Sequence, residues 1–137
     1  MTSIEIFNQY PQESIDIKPL RSLIDRVLKT EKWNFHINLI IVGDSEICRL
    51  NRLFLSTDDV TDVIAFSSGD DDPPGGEIYL SLDQAKIQAE EASESLLKAA
   101  SRLTVHGILH LGGWDDVTDS DRDRMLKHGE VYLSGMR

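Results

Sequence analysis

Apolar and polar residues along the chain follow two spacings, one typical of β-strands and the other of α-helices. Alternation, or a short β-branched run, predicts four strands, at Ser3–Asn8, Phe35–Val42, Thr61–Phe66 and Glu77–Leu82. Apolar residues three or four apart predict helices at Ile17–Trp33, from Asp44 or Ser45 to Phe54, from Asp83 to the Gly112–Gly113 pair, and after a cap at Thr118 or Asp119. The resulting order, β-α-β-α-β-β-α-α, predicts an α/β (α+β) fold in which a mixed four-stranded sheet packs against helices.

The length of the chain, 137 residues, predicts a single domain over residues 1–137. Cys48 is the only cysteine, which excludes a disulfide scaffold and favours a reducing, cytoplasmic compartment. The longest apolar run is Leu39–Val42, far shorter than the roughly 18 residues of a membrane-spanning helix. We therefore expect no membrane partner.

The net charge is −10, from 24 acidic and 14 basic residues, and a surface of that sign repels nucleic acid. Half of the acidic residues lie in two segments, 58–72 and 115–130. The charge therefore argues against a general nucleic-acid coat and predicts no DNA binding. It is compatible with a local RNA-binding face or with a metal site.

The residues with the clearest chemistry stand at the end of the long helical pattern. His106 and His110 are four residues apart, so their imidazoles lie on one helix face and can reach one metal ion. Gly112 and Gly113 let the chain reverse, after which Asp115 or Asp116 can return as a third ligand. Three protein ligands leave one coordination position open for water, which is typical of a catalytic zinc site.

The string His-Gly-x-Leu-His-Leu-x-Gly-aromatic-Asp, from His106 to Asp115, resembles the signature of the YbeY family of bacterial rRNA-maturation endoribonucleases. Leu50–Phe54 with Thr61–Phe66, and then Gly76–Ser81, resemble further segments of that family in the same order. The resemblance implies a zincin-like metal helix and one zinc ion per chain, held by His106, His110 and Asp116. It also implies a metal-dependent, single-strand-specific endoribonuclease that acts on rRNA in ribosome assembly and quality control, with the small ribosomal subunit as partner.

Three residues depart from the family pattern. Asp116 replaces the third histidine, Leu55 replaces an arginine, and Ala65 replaces a serine. A carboxylate binds zinc well, but it lowers the charge of the site and favours other divalent ions such as manganese. The lost arginine matters for phosphate binding, a role that Arg52, one turn earlier, is a weak candidate to take over. Asp62 is an equally weak candidate for orienting a ligand histidine.

Two other functions compete with the ribonuclease. A zinc protease fits the spacing of the histidines, but Gly107 stands where His-Glu-x-x-His proteases carry their catalytic glutamate. A non-catalytic ribosome-assembly factor with a structural metal site fits the losses at positions 55 and 65. Trp114 and His128 are interpreted as a packing residue and a surface residue.

Overall fold

A mixed sheet lies at the centre of the structure, a computed structural model that describes residues 3–10, 12–57, 60–69 and 74–136. Its strands are β1 (Ser3–Asn8), β2 (His36–Val42), β3 (Val63–Ser67) and β4 (Gly75–Ser81). They lie in the order β1-β2-β4-β3. The neighbouring pairs β1–β2 and β2–β4 are parallel, whereas β3 is antiparallel to β4 and forms one edge of the sheet.

Helices cover both faces of this sheet. In the described ranges they are α1 (Ile17–Glu31), α2 (Asp44–Phe54), α3 (Leu82–Ala92), α4 (Leu96–Leu111) and α5 (Asp119–Leu133). The combination of a mixed four-stranded sheet with packed helices confirms the predicted fold class. None of these helices is long and apolar enough to cross a lipid bilayer.

The alternation of side chains along β2 divides the interior into two cores. Ile37, Leu39 and Ile41 point into the larger core, which also contains the buried residues of α1 and α4. Ile40 and Val42 point to the other face, where the apolar side of α2 covers them. Helix α4, which carries His106 and His110, therefore lies on one face of the sheet, and helix α2, which carries Asn51, lies on the other.

The long helical pattern after Asp83 is two helices, so the prediction of one helix was wrong. Ser93 adopts a left-handed conformation with φ 53°, which ends α3. The hydroxyl of Ser95 then accepts a hydrogen bond from the amide of Lys98 and starts α4. Small and apolar residues continue at helical spacing across this break, and that continuity concealed it.

Two smaller predictions also need correction, whereas the cap of α5 at Thr118 is confirmed. Gly43, and not Asp44 or Ser45, is the N-cap of α2, and the Asp83 carboxylate accepts the hydrogen bond from the Asp44 amide. β4 begins at Gly75 and not at Glu77, because the two glycines pair with β2. Parts of the acidic segment 58–72, residues 58–59 and 70–72, lie outside the described residues.

Two glycines, one inside α4 and one at its C-cap, let this helix lie close to its neighbours. A Cβ atom at Gly107 would lie 2.7 Å from Cγ2 of Ile78 in β4, well inside van der Waals contact. A Cβ atom at Gly112 would overlap the indole of Trp33. Glycine therefore lets α4 lie close against the sheet and lets an aromatic ring cover its C-terminal end.

Candidate metal centre

The candidate site is a pocket of about 380 Å³ beside the C-terminal half of α4. Of its chemically active side chains, α4 contributes three, the segment before β3 contributes one, and α5 and the loop before it contribute one each. The chemically active side chains that line it are Asp62, Arg102, His106, His110, Asp116 and Arg122. The pocket thus brings together the three predicted metal ligands and the predicted orienting carboxylate.

His106 is the more enclosed of the two histidines. Its Nε2 atom is buried and has no hydrogen-bond partner among the described residues. Burial lowers the pKa of His106 below its ordinary value, and the nearby Asp62 opposes that shift. The imidazole is therefore neutral near pH 7, with a lone pair available to a metal ion. Native proteins seldom leave a buried polar atom without a partner, and this nitrogen belongs to a residue that lines the pocket, so it is a candidate ligand atom.

His110 and Asp116 face each other across the mouth of the pocket. The distance between His110 Nε2 and Asp116 Oδ2 is 3.7 Å, and the Asp116 side chain is 50% exposed. Asp115 is turned elsewhere, because its Oδ1 accepts a hydrogen bond of 3.2 Å from the amide of Val117. Of the two aspartates that the sequence left open as a third ligand, Asp116 is the one that approaches a histidine.

The donor atoms do not form a closed ligand set. Within the described ranges, no three His, Cys, Asp or Glu side chains are placed so that they hold one metal ion together. His110 and Asp116 approach each other, and His106 lines the same pocket. The donor chemistry fits a divalent ion, and joint ligation by all three residues stays a prediction.

Two charged residues surround the histidines. Asp62 lines the pocket and accepts a hydrogen bond of 2.9 Å from Nε2 of Gln88 in α3. Arg102 lies one helical turn before His106 and forms ion pairs with Glu94 and Glu130. These pairs raise the pKa of Arg102 and keep it charged. Arg102 is not among the residues predicted from the sequence, although it lies four residues before His106 on the same helix face.

A second pocket, of about 520 Å³, adjoins the first on the other side of His110. Leu55 and Ala65, two of the three departures from the family pattern, both line it. Arg52 is exposed on α2 and is not among the described residues that line either pocket, so the structure does not place it at the site. The substituted positions therefore lie beside the candidate metal centre.

The side chains of Trp114, in the loop after α4, and His128, in α5, pack against each other. Their rings stack with centroids 4.6 Å apart and an interplanar angle of 11°. Trp114 is thus a packing residue, as predicted. The interpretation of His128 as a surface residue was wrong, because its ring is half-buried and its Nε2 lies 2.8 Å from a carboxylate oxygen of Glu31.

The position that carries a glutamate in zinc proteases faces the wrong way for catalysis. Gly107 is buried, and the space beside its Cα atom is filled by Ile78 of β4. A side chain at this position would enter the interface between helix and sheet and not the pocket. The local packing therefore argues against a protease of that type.

Comparisons with known proteins agree with the motifs. A family model described as Endoribonuclease YbeY matches residues 5–137. An Endoribonuclease YbeY of Treponema denticola is 38% identical over 136 residues, with 93% of this chain and 88% of the relative covered. One of Acholeplasma laidlawii is 33% identical over 132 residues, with coverages of 96% and 94%. The solution structure of TM1509 from Thermotoga maritima matches with a TM-score of 0.69 and 28% identity, covering 95% of this chain and 86% of that one.

Proposed function

The chain belongs to the family of YbeY endoribonucleases, and from this premise we propose that it hydrolyses single-stranded RNA with a divalent ion held by His106, His110 and Asp116. The observation that carries this proposal is the unpaired, buried Nε2 atom of His106 in the pocket where His110 and Asp116 approach each other. Such a nitrogen has a reason to stay unpaired if it binds a metal.

Each ligand has a defined part in the proposed site. A divalent ion held there by His106, His110 and Asp116 would supply a nucleophilic water at neutral pH and would stabilise negative charge on a phosphoryl oxygen. His106 provides a neutral imidazole because burial lowers its pKa. Asp116 would provide a carboxylate from the loop between α4 and α5, where it lies 3.7 Å from His110 Nε2. Zinc is the ion we propose, although the carboxylate makes manganese a plausible substitute.

RNA binding requires cations near this pocket. The charge of Arg102 is matched by Glu94 and Glu130, which makes it a structural cation more than a phosphate ligand. Arg122 is exposed at the start of α5 and lines the pocket. We therefore assign to Arg122 the contact with an RNA phosphate that Leu55 is unable to make.

The biological substrate follows from the family motifs. We propose that the chain acts on rRNA during maturation and quality control of the small ribosomal subunit, in the reducing cytoplasm. The net charge of −10 limits RNA contacts to a local face and disfavours DNA as a substrate. A protease is disfavoured by the packing of Gly107, and a non-catalytic role makes a different prediction in the experiment below.

The ligand set is tested by metal binding with the aspartates as a matched pair. Asp116→Asn should weaken zinc affinity at least about tenfold, whereas Asp115→Asn should bind like the unaltered protein, because Asp115 turns to the Val117 amide. Titration with a competing chelator measures both affinities. Equal affinities for the two variants would reject Asp116 as a ligand.

Catalysis is tested with single-stranded RNA. The unaltered protein with zinc should cleave it, whereas the His110→Ala variant and metal-stripped protein should not. Equal residual cleavage in all three samples would identify a contaminating nuclease and reject the enzymatic function. Intact metal binding without any cleavage would favour the non-catalytic assembly factor.

A further inference from the structure

The loop that carries Asp116, residues 112–118, is tied to its neighbours at both ends. At its start, the amides of Gly113 and Trp114 donate hydrogen bonds to the last turn of α4. At its end, the Thr118 hydroxyl accepts a hydrogen bond of 3.0 Å from the Asp121 amide and caps α5. Asp116 lies between these anchors, and its direction depends on where the loop crosses from α4 to α5.

One side chain of this loop is fixed by stacking on α5. The Trp114 ring lies nearly parallel to the His128 ring, with centroids 4.6 Å apart. Offset stacking of aromatic rings contributes roughly 0.5–1.5 kcal/mol beyond the area that it buries. Trp114 is two residues from Asp116, so this contact restrains the middle of the loop.

The His128 ring is itself held in place from α1. Its Nε2 atom lies 2.8 Å from Oε2 of Glu31, and Tyr132 donates a hydrogen bond to the same oxygen. The Tyr132 ring also meets the His128 ring edge to face, with centroids 5.7 Å apart. The His128 ring therefore has one fixed plane against which Trp114 rests.

The same turn of α5 supports the other side of the site. Gly129 follows His128, and a Cβ atom built on it would lie 3.5 Å from Cδ2 of His106. The backbone of α5 thus backs the His106 ring, while the adjacent His128 side chain backs the loop that carries Asp116. One turn of α5 therefore lies against the His106 ring and, through Trp114, against the loop that carries Asp116.

We propose that His128 is a positioning residue, which stacks on Trp114 and thereby holds the Asp116 carboxylate towards the histidines of α4. This proposal rests on the proposed function, because it takes Asp116 as a metal ligand. His128 itself touches neither the ion nor the RNA in this arrangement. Residues that orient metal ligands typically change metal affinity by about tenfold or more when they are replaced.

Two substitutions of His128 separate stacking from hydrogen bonding. His128→Phe keeps a flat ring against Trp114 and loses the hydrogen bond to Glu31. His128→Gln keeps a hydrogen-bonding group and loses the ring. We expect zinc affinity within about twofold of the unaltered protein for His128→Phe, and about tenfold weaker for His128→Gln.

Tyr132→Phe is the matched control. It removes the other hydrogen bond to Glu31 but leaves the Trp114–His128 stack in place. A lower unfolding temperature with unchanged zinc affinity is expected for this variant. Equal losses of affinity in Tyr132→Phe and His128→Gln would overturn the proposal, because they would show general weakening between α1 and α5. Unchanged affinity in His128→Gln would overturn it as well.

Amide hydrogen exchange without metal provides a readout that does not depend on the ligand set. Residues 114–117 should exchange faster in His128→Gln and in Trp114→Ala than in Tyr132→Phe. If Asp116→Asn binds zinc normally, the proposed ligand set fails, yet the exchange rates still decide whether His128 holds the loop. Identical exchange in all variants would reject the positioning role.

Discussion

Replacing Gly107 by alanine should destabilise the protein, whereas the same replacement at Gly129 should stabilise it. Both glycines are buried within helices, so alanine gains up to about 1 kcal/mol of helix propensity at either position. At Gly107 the new Cβ atom would lie 2.7 Å from Cγ2 of Ile78, and overpacking of that kind costs about 1–3 kcal/mol. With the full gain in helix propensity set against this cost, we expect a net loss of up to about 2 kcal/mol.

At Gly129 the new methyl group meets only ordinary van der Waals neighbours. The nearest atom, Cγ1 of Val105, would lie 3.4 Å from the Cβ atom. The gain in helix propensity is therefore retained, and the free energy of unfolding should rise by about 0.5–1 kcal/mol.

Urea unfolding followed by circular dichroism measures both variants under identical conditions. The denaturation midpoint should fall for Gly107→Ala and rise for Gly129→Ala, with equal slopes. The double variant Gly107→Ala, Ile78→Ala should lose less than the sum of the single variants, because the clash is relieved. A Gly107→Ala protein stabilised as much as the Gly129→Ala protein would refute the close approach of α4 to β4.

Three further predictions concern RNA binding and pH. Arg122→Gln should weaken the binding of single-stranded RNA, and it should lower the slope of log affinity against log salt concentration by about 0.7. Arg124→Gln is the control and should change neither quantity, because the Arg124 side chain on the same helix is exposed and paired with Asp121. Leu55→Arg should strengthen RNA binding and steepen that slope more than Leu53→Arg, because only Leu55 lines a pocket beside His110; equal effects would contradict this. Hydrogen bonds from the Tyr10 hydroxyl and from the Asp44 amide lower the pKa of Asp83. The Asp83 carboxylate therefore stabilises the fold above about pH 4, and this stabilisation is lost as the pH falls through the lowered pKa. The stability difference between the unaltered protein and Asp83→Asn, measured by urea unfolding, should therefore shrink below about pH 4, and a difference that grows there would contradict the assignment.

The type and order of most elements could be predicted from local patterns. Strands such as β2 alternate between two cores, and amphipathic helices such as α1 bury one stripe of apolar residues. The break between α3 and α4 could not be predicted in this way, because apolar residues continue at helical spacing on both sides of Ser93. The left-handed conformation of Ser93 is set by how the two helices pack. The start of β4 was missed for a related reason, since glycines usually mark loops and here pair with β2.

The candidate site was predictable where its residues share a helix. His106 and His110 follow from a spacing of four residues, and the family motif adds Asp116. Arg102 shares the helix face of the histidines, but its ion pairs were not predictable, because Glu94 lies in the turn before α4 and Glu130 lies in α5. The contacts of His128 were not predicted because Trp114 lies in a loop and Glu31 is distant along the chain.

The sequence by itself therefore determined the fold class, the family and the helix that presents two imidazoles. Only the tertiary structure decided that Asp116, and not Asp115, approaches His110, and that Arg122, and not Arg52, lines the pocket. The physical reason is that helical periodicity is a local property, fixed by backbone hydrogen bonds between residues four apart. The direction of a loop carboxylate and the pairing of buried charges depend instead on contacts between elements that packing brings together.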